Sequence, residues 1–217
     1  MFSTVLSALN EGFLVTLQLF LLTLLGSIPL GLLVCFGSMS TFPPLRLITR
    51  FVVWVFRGSP LLLQLMIIFY IPGELGWQIW SFQNGRFWAA VAAFVLNYAC
   101  YFSEIYRGGM ASIPQGQDEA GLVLGMTKGQ IFFRVKLAQL IRRIVPPMAN
   151  EIITLVKDTS LANTIALTEI IWAGRRFMKS DGLIWPLFFT GVYYLAFSGI
   201  LTLLLGRLEK KLSFYHV

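Results

Sequence analysis

The chain has 217 residues, of which 57% are hydrophobic and only 12% charged, with a mean hydropathy of +0.74. That is more apolar surface than one soluble core can hide, which places the chain in a bilayer and excludes an ordinary soluble globule. A net charge of +7 does not make it a nucleic-acid binder, because the basic residues are scattered at segment ends and form no stripe with interleaved aromatics.

Its first fifteen residues carry no lysine or arginine and a single acid, Glu11. They lack the positive start of a secretory signal, so the first span is expected to be retained. That span covers residues 12–36, and a polar, proline-containing turn at 37–44 follows. A second apolar run, 51–71, is interrupted near its start by Arg57-Gly58-Ser59-Pro60. Between 72 and 86, Pro72, Gly73, Glu74, Gly76, Gln78 and Asn84 mix with Trp77 and Trp80; this reads as an interfacial turn with an aromatic belt and a short amphipathic surface segment. The third span is 87–106, a polar loop occupies 107–149, a fourth span rich in polar residues is 150–172, and the last is 183–205. Arg175, Arg176, Lys179, Asp181 and Gly182 form the turn before it. The fold class is all-α, a single polytopic membrane domain with five spans.

Five spans put the two ends on opposite sides. Of the 17 lysines and arginines, twelve fall on the side of the 107–149 loop, Arg86, Arg175, Arg176 and Lys179 on the other, and Lys157 within a span. The excess places that loop and the carboxyl end in the cytoplasm and the amino end outside. An odd span number argues against a transporter made of two inverted halves in one chain. A second copy or a sister subunit would supply the other half, with Ser27 and Gly31, small residues four apart, as a packing face.

The 107–149 loop is the part suited to a soluble partner. Pro114 fits a first helical turn, Asp118 and Glu119 favour the amino-terminal half, and Gly125 is placed to close a helix of about three turns in a left-handed cap. Thr127-Lys128-Gly129-Gln130 offers a capping box that starts a second helix carrying Ile131, Phe132, Val135 and Lys136. Glycines at 121 and 125 allow close approach, so docking into a groove of a soluble protein stands beside the plainer reading of a solvated connection.

Glu119-Ala120-Gly121, three residues, Gly125, nine residues and Val135-Lys136-Leu137 resemble the EAA loop of bacterial ABC importer permeases. Arg107-Gly108-Gly109, Ile113-Pro114-x-Gly116-Gln117, Arg142-Arg143, Pro146-Pro147 and residues 156–161 are similar to its polar amino acid uptake branch. The similarity extends from about Thr16 to the end. Three positions differ: Gly121 stands where a second alanine is usual, Val135 where isoleucine is usual, and Ala138 where proline is usual, which bears on how the loop joins the next span. The resemblance implies a type I importer permease in the bacterial cytoplasmic (inner) membrane. Its implied partners are separate cytoplasmic ATPase subunits, which bind ATP and Mg, an external substrate-binding protein and a polar amino acid as cargo. Glu119 would hold the loop against the ATPase and Gly125 would permit the turn.

No GxxxxGK[ST] phosphate loop occurs, so ATP is not bound here by that route and no cofactor is expected in this chain. Cys35 and Cys100 lie singly in apolar runs and His216 is the only histidine. Neither a metal site nor a Ser-His-Asp mechanism is expected, and no catalytic residue is assigned.

Cargo contacts are sought among polar residues that a bilayer penalises. In the second span these are Arg57, Ser59, Pro60 and Gln64, where the proline frees carbonyls and the guanidinium offers a fork for a carboxylate. In the third they are Asn97, Tyr98, Tyr101 and Glu104, with Glu104 set either for cargo or for pairing with Arg107. In the fourth they are Lys157, Asp158, Thr159 and Ser160. Lysine can snorkel to the interface, whereas Asp158 must face a cavity, a cation or a donor. Mutual pairing that locks the bundle is the alternative for each charge. An ion channel, or a membrane-embedded sensor or scaffold, would be a different class of function.

Overall fold

A computed structural model describes residues 1–213; His216 lies outside the described residues. The described chain is helical with short connections. α1 (Phe2–Ser38) starts ten residues before the expected span and, at 37 residues, is about 55 Å long by helical rise, more than a bilayer's hydrocarbon thickness. Its buried face is a row of small and hydroxyl residues, Thr16, Thr23, Ser27, Gly31 and Cys35, laid along α4 (Gly85–Ala111). At Gly31 a β-carbon would come within 2.9 Å of Phe102 Cβ and 3.0 Å of the Ala99 carbonyl oxygen. The small-residue pair Ser27 and Gly31 therefore packs within the chain rather than against a second subunit.

The expected second span is two helices, α2 (Pro43–Gly58) and α3 (Leu61–Glu74), bent by 106°. Pro60 supplies no N–H, and Ser59 before it is extended at φ −115°, ψ 148°, the conformation a residue preceding proline prefers. Beyond α3 the chain turns at Gly76 (φ 76°) and is pinned by Trp80 Nε1 donating to the Ile68 carbonyl at 2.8 Å. Residues 75–84 contain no helix, so the expected interfacial turn is irregular throughout. α4 exceeds the expected third span at both ends.

The polar loop is mostly helical. α5 (Gly116–Val123) has 8 residues, shorter than expected because Pro114 sits in the turn before it. A complete Schellman closure ends it: Met126 N donates to Gly121 O at 3.0 Å and Gly125 N to Leu122 O at 2.9 Å, with Gly125 at φ 74°, where a side chain is disfavoured. α6 (Lys128–Ile131) starts with the expected capping box, Gln130 N to Thr127 Oγ1 and Thr127 N to Gln130 Oε1. Phe132–Lys136 forms one π turn and α7 (Leu137–Asp158) continues it. With Ala138 in place of proline, helix continues through that position.

The fourth span departs most from expectation. α7 stops at Asp158, a 3₁₀ segment covers Thr159–Ile165, and α8 (Ile170–Asp181) follows. Thr159 Oγ1 to Val156 O (2.6 Å), Ser160 Oγ to Lys157 O (2.7 Å) and Thr164 Oγ1 to Leu161 O (2.7 Å) are all i to i−3 bonds; they suit the tighter 3₁₀ winding and compete with the α ladder. Arg175, Arg176, Lys179 and Asp181 consequently sit on α8 rather than in a turn, and Gly182 (φ 67°) caps it. α9 (Trp185–Ser213) completes the described chain. Among the described residues α1, α4 and α9 are each long and apolar enough to cross a bilayer, and the bent pair α2–α3 makes a fourth; five spans are expected from the sequence, and α7, which covers part of the expected fourth, is more polar than these.

Candidate functional site

Two regions carry the unusual chemistry, a surface loop and a polar layer inside the bundle. In the loop, Gly121 is buried and its missing β-carbon lets α5 rest on Ile131, whose Cγ1 would lie 2.5 Å from such an atom. Ile131 is thereby almost fully enclosed, and the two short helices are held in one fixed bend. Asp118 pairs with Lys136 of the π turn and Gln139 of α7 donates to Gln117 Oε1 at 3.2 Å, tying α5 back, while Arg143 of α7 donates to the Ser112 carbonyl at the end of α4. Glu119 and Ala120 are exposed, and no hydrogen bond or ion pair engages the Glu119 carboxylate among the described residues. Beside them the tip presents Leu122, Val123 and Leu124 at 56%, 87% and 79% exposure. Three adjacent exposed aliphatic side chains next to an unengaged carboxylate form a surface suited to burial against another protein.

The inner layer begins at the α2–α3 break. Gln64 is buried and its Nε2 donates to Phe56 O (2.7 Å), Ser59 O (3.0 Å) and Ser59 Oγ (2.8 Å), taking up carbonyls that the break frees. Asn97 Nδ2 donates to Gln64 Oε1 at 2.9 Å and fastens the break to α4. Ser59, Pro60, Gln64 and Asn97 thus form a structural brace. Replacing Gln64 by leucine should cost about 1–3 kcal/mol for each carbonyl left unpaired, read as a lower melting temperature of the purified protein.

Tyr98, thirteen residues from either end of α4, is buried at mid-span and its hydroxyl donates to Asp158 Oδ2 at 2.7 Å. Asp158 is half-buried at the last α-helical position of α7. Its neighbour Lys157 is exposed and makes no salt bridge or side-chain hydrogen bond among the described residues. The hydroxyls of Thr159 and Ser160 bond their own helix, and Thr159 Oγ1 also lies 3.4 Å from Tyr194 Oη. Glu151, two turns before Asp158 on the same face of α7, is within electrostatic reach of Tyr98 and Asp158. Sequence reading overlooks it, although the spacing of seven from Asp158 is the available signal.

Arg57, Tyr101 and Glu104 gather beside this pair, with the Tyr101 ring centre 6.3 Å from that of Tyr98 and Arg57 within electrostatic reach of Glu151. Glu104 accepts from Arg107, Nε to Oε1 at 2.8 Å and Nη2 to Oε2 at 2.6 Å. Arg57 stands 3.6 Å from Glu104 Oε2 with its Cζ 5.3 Å from the Tyr101 ring centre. The twelve candidates therefore divide into a brace, a mid-span pair around Asp158, and a charged group nearer the Ala111 end of α4.

Glu169 is a further residue that sequence reading misses. It is completely buried and caps α8, accepting from Ile171 N and Trp172 N at 2.8 Å each, while Ile170 N donates to Thr16 Oγ1 of α1. Glutamate is an uncommon cap, which is why the acid ahead of Ile170-Ile171-Trp172 carries little signal.

The described residues contain no cluster of metal-ligating side chains. Compared with known proteins, residues 27–214 match the family described as binding-protein-dependent transport system inner membrane component. The arginine transport system permease protein ArtQ of Bacillus subtilis (strain 168) is 36% identical over 208 residues, 94% of this chain and 91% of that one. The glutamine transport system permease protein GlnP of Escherichia coli (strain K12) is 31% identical over 209 residues, 94% and 93%. A crystal structure of an amino acid ABC transporter superposes with a TM-score of 0.87 at 26% identity, over 97% of this chain and 96% of that one. The match covers the loop and the polar layer alike, and the chain belongs to the family of binding-protein-dependent transport system inner membrane components, the permeases of ABC importers.

Proposed function

We propose that this chain is the permease subunit of an ATP-driven importer of a polar amino acid. It works as a pair with a second copy or a sister permease, and it receives cargo from an external binding protein and motion from cytoplasmic ATPase subunits that hold ATP and Mg. The observation that carries this reading is the Tyr98–Asp158 pair at mid-span, where alternating-access transporters place cargo. Asp158 and Glu151 supply negative charge for an ammonium group, and Tyr98 holds Asp158 in place. The exposed tip of α5, with Glu119, Ala120, Gly121 and Gly125, docks on the ATPase, and rigid-body movement of the docked loop alternates access to the pair.

Purified complex in sealed vesicles, given binding protein, should accumulate a polar amino acid only when ATP is present. Flux without ATP would indicate a channel, and ATPase binding without flux a sensor or scaffold. In our orientation the amino end is outside and the 107–149 loop is cytoplasmic. A single cysteine introduced by Gln117→Cys should resist an impermeant thiol reagent in intact cells and react after lysis; strong labelling of intact cells would reverse the topology.

A further inference from the structure

A second charged site lies between α2 and α4, next to the Tyr98–Asp158 pair: Arg57 packs over Tyr101, whose ring centre is 6.3 Å from that of Tyr98. A cavity of about 330 Å³ is lined by Arg50, Val53, Trp54, Arg57, Glu104 and Arg107, three guanidinium groups around one carboxylate. Both Glu104 oxygens are taken by Arg107. Arg57 keeps a looser 3.6 Å contact and its side chain is 42% exposed. Arg50 donates through Nε to the Ser38 carbonyl at 3.1 Å, and no bond engages its two terminal nitrogens among the described residues. Two guanidinium groups thus retain open donors at a site with surplus positive charge.

Depth and flanks narrow the ligand. Glu104 and Arg107 lie seven and four residues before Ala111, the end of α4, so about 10 and 6 Å from it by helical rise. Because α4, at 27 residues, is about 40 Å long, this depth falls where headgroups meet acyl chains. On the outside of α2, Leu47, Phe51 and Trp54 are 72%, 60% and 70% exposed, an apolar face with a tryptophan of the kind found at that interface.

We propose that this cavity binds the phosphate headgroup of an anionic phospholipid in the cytoplasmic leaflet. Arg50 and Arg57 hold the phosphate oxygens, and the acyl chains lie along Leu47, Phe51 and Trp54. Guanidinium forks match phosphate geometry, and a basic pocket between spanning helices on the cytoplasmic side is a recurrent form of lipid recognition. A free amino acid suits the site less well, since its ammonium would sit among three guanidinium groups. The inference rests on the membrane orientation given above, but lipid retention and uptake are separate measurements, so either can fail alone.

The test is native mass spectrometry of the purified permease–ATPase complex with phosphatidylglycerol and phosphatidylcholine of identical chains. We expect phosphatidylglycerol to be retained about tenfold more, the preference to fall to about twofold in Arg50→Gln, and Arg86→Gln, near the opposite end of α4, to keep it in full. Equal retention of the two lipids by the unaltered complex, or a full preference in Arg50→Gln, would overturn the assignment. Should Arg50→Gln fail to assemble, Arg50→Lys decides: a preference kept by the remaining positive charge supports the site, and a lost preference in an assembled complex overturns it. Displacement of phosphatidylglycerol by millimolar inorganic phosphate or by a free polar amino acid would assign the site to a soluble anion and overturn the lipid.

Discussion

Glu119→Lys and Gly125→Val should each reduce ATP-driven uptake to background, at least about a hundredfold and thus on the order of 2.7 kcal/mol of lost coupling, while leaving the chain in the membrane at near-normal amount. The two act differently. Glu119 is exposed and unengaged among the described residues, unlike Asp118, which pairs with Lys136; reversing its charge leaves the loop's own contacts intact and harms only what docks there. Nothing lies within 4 Å of a β-carbon at Gly125, so a side chain there meets no obstacle. The damage comes from φ 74°, a left-handed conformation that costs a substituted residue about 1–2 kcal/mol, more when β-branched. Relief of that strain would undo the closure that fixes Leu122, Val123 and Leu124. Gly125→Asn should be milder, because asparagine tolerates this conformation. Wild-type uptake by vesicles carrying Glu119→Lys would remove the loop from the coupling route.

The second large effect is expected at Asp158. Asparagine can accept the same hydrogen bond from Tyr98 through its amide oxygen, so Asp158→Asn keeps the pair's geometry and deletes its charge. We expect uptake to fall at least about tenfold, with assembled complex within about twofold of normal, a difference above about 1.4 kcal/mol. Lys157→Gln should stay within about threefold of normal, since an exposed lysine can reach the interface along its own stem. A purely structural role makes another demand: uptake should decline in step with the amount or thermal stability of complex. Measuring both quantities on the same preparations distinguishes the two, and a fully active Asp158→Asn complex would exclude the charge from the transport path.

Local features were legible because their causes are local. The closure at Gly125 and the capping box at Thr127 and Gln130 depend on residues within one turn of each other, and both stand where composition places them. Pairings across the chain were legible only as an inventory. Tyr98 and Asp158 are 60 positions apart, Gln64 and Asn97 33, and spacing shows that each needs a partner without showing which. The fourth span misleads for a different reason. Its hydrophobic content continues through residues 159–165, while serine and threonine hydroxyls bond backward and retighten the winding, an effect invisible to hydropathy. The break in the second span was visible as Arg57-Gly58-Ser59-Pro60, but its 106° angle is fixed by how Gln64 and Asn97 hold the two ends.

Helix continues without a gap from Lys128, beside the exposed tip, to Asp158 in the middle of the bundle, 31 residues and about 46 Å by helical rise. No loop lies between the tip and the carboxylate, so the helix acts as one lever, loosened where Pro146 and Pro147 inside α7 withhold two ladder donors. Such a lever transmits twist as well as displacement. Each residue added or removed along it turns Asp158 by about 100° relative to the tip, so the number of residues between the two, as much as their chemistry, sets which way the carboxylate faces when the loop is held. The single π turn at Phe132–Lys136, one residue wider than its surroundings, is part of that phasing: it sets the rotational offset between the exposed tip and the Asp158 carboxylate.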